Sequence, residues 1–400
     1  MNVISKNKYL DHKISKGFKA LYKSRIIIYI ATGLLGLFIP IFLFNLFEQS
    51  LRTVAWFYLT GNLIYGVTVM YGAKWLNKFG FRRSLQTAAF FGAVYYSLFY
   101  FINENNFKAI IPLIIITLVV YRLLYWIPYH VDFAKFSSKK NRGKEIGLVG
   151  ATSNIVAIFT PFLAGFIITK FSFHILFIIA VFLYLLSIIP LFSIPRTREK
   201  FTWTTKQTWQ KFFSKERRPE VLAFMADGAE DSIGTIVWPI FMFQILNGDY
   251  LKLGFISTII VAVTVVLQLI VGKYTDKNAD RKQLLRFGST FYAIGWIIKI
   301  FIATAFQIFI VDAYQKLMKI FMRIPFDAMT YEKAADEGHY IDEFTVIREM
   351  AVNIGRGGML LLVILSSFFV SIQITFILGA IAAMLFNTIR IRKEVRPRLS

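Results

Sequence analysis

Cysteine is absent from this 400-residue chain, so no disulfide, thiol nucleophile or thiolate metal site is available to it. Histidine is scarce, with four copies, and no grouping of His, Asp and Glu has metal-ligand spacing. No metal and no other cofactor is therefore expected. A GxxxxGKS phosphate loop is missing too, which argues against ATP as the direct energy source. No nucleophile stands in a pattern with a base and an orienting acid, so an enzyme is the least expected class. Acidic residues are few, 23 against 46 Lys and Arg, leaving a net charge of +23. The first 25 residues carry no small-residue cleavage site, so no cleavable leader is expected.

Apolar surface is in excess: 56% of the residues are hydrophobic, 42 are Phe, and the mean hydropathy is +0.57. Lipid is the solvent that such a composition suits. Twelve segments are long and apolar enough to predict helical spans, near 26–46, 54–76, 84–103, 109–130, 146–169, 172–194, 221–246, 252–273, 284–306, 308–330, 344–369 and 371–390. The basic residues gather before the first span and after the second, fourth, sixth, eighth and last, as in Lys16 to Arg25, Lys74 to Arg83 and Lys277 to Arg286. The alternate loops are nearly free of Lys and Arg. This is the positive-inside pattern, and it puts both termini in the cytoplasm and the protein in the cell membrane. So distributed, the basic excess reads as topology and attraction to anionic lipid, not as nucleic-acid binding.

The chain is also written twice. Ile39-Pro40-Ile41-Phe42 returns as Trp238-Pro239-Ile240-Phe241, Ile127-Pro128-Tyr129 as Ile324-Pro325-Phe326, and Asn154-Ile155 as Asn353-Ile354, all at offsets of 197 to 199 residues. The reading is a basic segment 1–25, a six-span half 26–194, a polar linker 195–220, a second half 221–390 and a tail 391–400. Membrane proteins built from two like halves are typically secondary transporters with the site between the halves. The linker aromatics Trp203, Trp209, Phe212 and Phe213 are expected to rest on the bilayer surface. Neither half looks able to work alone, so a functional monomer is the default.

A second repeat lies in the basic loops. Ala73, Asn77, Lys78, Gly80, Arg82 and Arg83 follow the second span; Gly272, Asp276, Lys277, Ala279, Arg281 and Lys282 follow the eighth. Both copies resemble the loop signature of the major facilitator superfamily, roughly G-x-x-x-D-R/K-x-G-x-R/K-R/K. With twelve spans in two halves, the resemblance covers nearly the whole chain. It implies an all-α fold whose spans one, four, seven and ten line a central cavity. It also gives gating roles to Asn77, Arg82, Asp276 and Arg281, with Asn77 a weaker latch than the family's Asp. Thr160-Pro161-x-x-Ala164-Gly165 loosely resembles an element of proton-coupled drug antiporters in the same superfamily. A Pro kink with small-residue packing is the competing reading.

Charges inside predicted spans need a reason, because each costs about 2.5–3.5 kcal/mol at the centre of the bilayer. Span ten carries Asp312, Lys316, Lys319, Arg323 and Asp327 within an arc of roughly 80° on one helix face. At the repeat offset, Lys319, Arg323 and Asp327 correspond to Arg122, Trp126 and His130. Span seven adds Asp227, Glu230 and Asp231 on one face, and span eleven Arg348, Glu349 and Arg356. Helix rise puts Lys319 and Arg356 near mid-membrane. Arg122, Lys316, Lys319 and Arg356 are therefore candidate substrate contacts, Glu230, Asp231 and Asp227 candidate proton sites, and Arg323, Asp327 and Arg348 candidate gate residues. The bland alternative is a closed set of ion pairs, Arg323 with Glu230 or Asp231 and Arg348 with Asp327. His130 is read as a solvated surface histidine and Lys299 as snorkelling or packing.

These residues predict a proton-coupled transporter of a small anionic or zwitterionic solute. Export of amphipathic compounds and a non-transporting sensor or partner-binding role stay open. The acidic stretch Glu332 to Glu343 would suit a basic partner or the chain's own basic loops.

Overall fold

A computed structural model describes residues 15–136, 142–195, 201–275, 280–336 and 341–389, which are helical nearly throughout. The first half runs α1 (Lys16–Gly36), α2 (Ile39–Leu46), α3 (Leu51–Phe79), α4 (Phe81–Phe101), α5 (Phe107–Phe136), α6 (Arg142–Lys170), α7 (Phe173–Leu186) and α8 (Ile188–Leu191). A linker helix α9 (Thr205–Phe212) follows. The second half runs α10 (Arg218–Ser232), a π-helical turn (Ile233–Val237), α11 (Trp238–Ile245), α12 (Tyr250–Thr275), α13 (Arg281–Lys299), α14 (Ala305–Asp336), α15 (Ile341–Ser366) and α16 (Phe376–Leu385). Helices overlap every predicted span. Among the described residues, five are long and apolar enough to cross a membrane by length and composition, six if the bent pair α1–α2 is one span.

Local chemistry sets the breaks. Ser15, Ser50 and Thr204 cap α1, α3 and α9 through their hydroxyls, and Thr204 forms a capping box with Gln207. Proline lacks an amide donor and crowds the carbonyl four residues back. At Pro40 the result is a 40° bend between α1 and α2. At Pro239, the repeat position, the chain absorbs the same conflict as the π-helical turn. Pro128 and Pro325 behave otherwise: α5 and α14 run on through them. The hairpin after α2 reverses through left-handed Glu48 (φ 53°) and Gln49 (φ 59°), and its repeat through Asn247 (φ 55°) and Gly248 (φ 78°).

Two long seams join the halves, α3 against α15 and α6 against α12. Glycines sit in both, bringing backbone against backbone in the α6–α12 seam and admitting a side chain in the α3–α15 seam. A Cβ on Gly165 would meet the Tyr250 carbonyl, one on Gly254 the Pro161 carbonyl, and one on Gly357 the Leu63 side chain. Thr258 also accepts from the Phe162 amide at 3.1 Å. Pro161, Phe162 and Gly165 thus serve the packing of α6 on α12, while Thr160 packs against Gly33 of α1.

The linker is stitched to both halves. The Asn77 side chain donates to the Phe201 carbonyl at 2.8 Å and accepts from the Phe201 amide at 3.0 Å. Lys74 donates to Thr205 at 2.8 Å, while the Thr202 hydroxyl donates to Glu343 at 2.7 Å. Contrary to the expected surface layer, Phe212 is buried and Trp203 and Trp209 pack on the core; Phe213 is the strongly exposed one.

Candidate functional site

Between the halves lies a cavity of ≈ 920 Å³. Towards the basic-loop end it is lined by Arg25, His130, Asp327 and Arg348; towards the other end it reaches Ile39, Pro40 and Ile236. Beyond those residues the halves touch directly. Asn45 donates to the Tyr250 hydroxyl at 2.7 Å, and the Arg52 guanidinium lies 3.7 Å from the Phe368 ring centroid.

The second-half wall is ionic and internally paired. Lys319 on α14 bonds both carboxylate oxygens of Glu230 on α10, at 3.0 and 3.3 Å, and the Tyr292 hydroxyl donates to the same carboxylate. Arg323 lies between Asp227 at 2.5 Å and Asp327 at 3.0 Å. Arg356 on α15 meets Asp231 at 2.9 Å and bonds the Asn353 side chain at 3.3 Å. The charged residues of α10, α14 and α15 do converge. Their pairing differs from the expected one: Arg323 takes Asp227 rather than Glu230 or Asp231, and Asp327 goes to Arg323 rather than Arg348. Helix periodicity fixes which side chains share a face, but not the rotation of facing helices.

The charge stripe of α14 is also split. Lys316, Lys319, Arg323 and Asp327 line the cavity. Asp312 turns away to pair with Lys299 on α13 at 2.7 Å. Lys299 is 1% exposed and lies 3.6 Å from the Trp238 centroid and 4.5 Å from that of Trp296. Enclosed on all sides, it does not snorkel.

The first-half wall is aromatic and basic. Arg122 on α5 donates to Asn62 at 2.8 Å and lies 5.9 Å from the Tyr65 centroid. Tyr65 in turn donates to Glu349 at 3.2 Å. Tyr121, Tyr125 and Tyr129, one turn apart on α5, stack at 5.4 and 5.6 Å. Arg25 lies over this stack, 4.2 Å from the Tyr29 centroid and 4.7 Å from that of Tyr129, and donates to Tyr125 at 3.0 Å. His130 stacks on Trp126 at 5.7 Å and lines the cavity, so it is not a solvated surface residue. Arg25 and the stacked Tyr121, Tyr125 and Tyr129 were missed as residues of this wall. The i, i+4, i+8 spacing of Tyr121, Tyr125 and Tyr129 was the available signal.

Among the described residues, Arg25, Arg122, Lys316 and Arg348 have no carboxylate partner, and the buried Nε atoms of Arg25 and Arg348 lack any hydrogen bond. Seven cations line the cavity against four carboxylates, five with Glu230 beneath Lys319. The cavity is therefore net cationic. Six cations and six carboxylates on the charged faces of the predicted spans would have balanced; Asp312 leaves and Arg25 joins, which tips the sum. Of the loop residues, Arg82 lies in the first turn of α4 and Arg281 begins α13, both away from the cavity. Asp276 lies outside the described residues.

Comparison with known proteins adds the family. The family model described as Major Facilitator Superfamily matches residues 23–226, just over half of the chain. The curated "Uncharacterized protein YqgE" of Bacillus subtilis (strain 168) is 22% identical over 333 residues, covering 80% of this chain and 73% of that protein. Among solved structures, a peptide transporter POT in complex with sulfate aligns with a TM-score of 0.70 at 10% identity, over 95% of this chain and 94% of that one. A POT family transporter in complex with 5-aminolevulinic acid aligns at 0.67 and 11%, over 95% and 96%. Identities this low speak for the fold alone.

Proposed function

The chain belongs to the major facilitator superfamily, and from that premise we propose that it is a secondary transporter of small anionic solutes. It would work by alternating access, its two halves rocking about the cavity. The observation that carries the choice of anions is the surplus of cavity cations, above all Arg122, which among the described residues bonds an amide and no carboxylate. In this reading the chain makes twelve spans with both termini cytoplasmic, as the basic loops require. The half boundaries are 26–194 and 221–390, and one copy suffices.

Proton coupling is assigned to Glu230. It is 1% exposed and shares Lys319 with the cavity. An anion arriving at Lys319 competes with Glu230 for the ammonium, and a proton on Glu230 gives Lys319 up to the anion. Tyr292 holds the carboxylate in place while its charge changes. Arg323, Asp227 and Asp327 tie α10 to α14 on the basic-loop side and are proposed to gate.

The test uses protein in liposomes loaded with a pH-sensitive dye, exposed to organic anions, organic cations and neutral sugars. Anion-dependent proton movement that Glu230→Gln abolishes is expected. Proton movement evoked only by cations or sugars would sink the anion reading. Anion uptake indifferent to a pH gradient, and unchanged in Glu230→Gln and Asp231→Asn, would sink the coupling alone.

A further inference from the structure

The cavity does not stop at the seam between the halves. It burrows into the first half as far as Tyr95 and Tyr96 on α4 and Tyr184 on α7. Tyr58 on α3 and Tyr121 on α5 complete this recess, and Arg122 stands on its wall. The rings brace one another: Tyr96 lies 5.3 Å from Tyr184, and Tyr121 lies 5.7 Å from Tyr184. The Tyr184 hydroxyl turns to Tyr121 at 3.4 Å.

The chemistry of the wall selects its occupant. Arg122 offers a charged fork, with one nitrogen engaged by Asn62. Beside it are ring faces and edges, which attract other rings in stacked or edge-on geometry. Amide and carboxylate groups, which a sugar would need for its many hydroxyls, are not among Tyr58, Tyr95, Tyr96, Tyr121 and Tyr184; Glu349, the carboxylate beyond Arg122, accepts from Tyr65. Asn62 is the amide here, and Arg122 already occupies it. Resting on the anion reading above, we infer that the recess is a subsite for a ring-bearing monoanion, with its acid group on Arg122 and its aromatic ring against Tyr58, Tyr95 and Tyr96. Small inorganic anions would fill the charge but not the recess.

The test is ligand-dependent thermal stability and calorimetry of the purified full-length protein. Phenylacetate, 3-phenylpropionate and indole-3-acetate are the ring-bearing probes; acetate and sulfate carry charge without a ring, and 2-phenylethanol a ring without charge. At least one ring-bearing acid is expected to bind ten or more times tighter than acetate or 2-phenylethanol, a difference of about 1.4 kcal/mol. Arg122→Gln and Tyr95→Leu are each expected to cost that preference. Should Arg122→Gln fail to purify, Tyr95→Leu carries the test. Acetate or sulfate matching the ring-bearing acids overturns the recess and leaves the anion reading standing. Binding of 2-phenylethanol as tight as that of the acids, and untouched by Arg122→Gln, overturns both. No binding by any ring-bearing acid also overturns the recess.

Discussion

Asn77 and Phe201 exchange two hydrogen bonds, amide to backbone in both directions. An aspartate, the residue of the superfamily signature, could accept from the Phe201 amide but not donate to its carbonyl. The departure from the signature thus has a physical meaning: this position clamps the linker. Asn77→Asp is expected to lower stability by about 1 kcal/mol, because a carboxylate then faces a carbonyl oxygen. Thermal unfolding in detergent measures it, and an unchanged midpoint would contradict the clamp.

Lys319 and Glu230 should behave as a coupled pair. Lys319→Met strips the buried Glu230 carboxylate of its cation, so that it must stay charged unpaired or take up a proton, at an expected cost of about 2–3 kcal/mol, discounted because Lys319 is 37% exposed. The double variant with Glu230→Gln should recover most of that loss. Purely additive single and double variants would show that the two do not interact.

Lys299 and Asp312 form a pair of another kind, closed off from the cavity. Lys299→Met is expected to cost about 3–5 kcal/mol by stranding Asp312. Adding Asp312→Asn should restore much of it. Anion affinity should stay as in wild type throughout; a change in affinity comparable to that of Arg122→Gln would place this pair in the transport site.

The left-handed turn at Glu48 and Gln49 carries residues that pay for that conformation, where the repeat has Asn247 and Gly248. Gln49→Gly is expected to stabilise by about 0.5–1 kcal/mol, because glycine enters this region without a Cβ clash. A lower unfolding midpoint would show that the Gln49 side chain contributes more than its backbone costs.

The repeat, the helical character and the charged faces of α10 and α14 were legible in the sequence, because each is a matter of periodicity along one helix. What joins one helix to another was not. Asp312 and Lys316 are one turn apart, yet Asp312 faces Lys299 and Lys316 the cavity. A shift of 40° around the helix separates the two fates, and only the packing of α13 decides it. Arg25 looked like one more basic residue before a span. Its contact with Tyr29 is one turn along α1, but its place over Tyr125 and Tyr129 depends on how α1 meets α5. Glu343, read with the acidic stretch, bonds Thr202 of the chain's own linker.

In the α6–α12 seam Gly165 faces Tyr250 and Gly254 faces Pro161, and in the α3–α15 seam Gly357 admits Leu63. Where backbone meets backbone there are few side chains to interlock, and interlocked side chains are what resists one helix tilting on another. If the halves rock as proposed, the α6–α12 seam at Gly165 and Gly254 is where they would turn with the fewest side chains to unmesh, whereas the Leu63 side chain seated at Gly357 would have to ride along with α15.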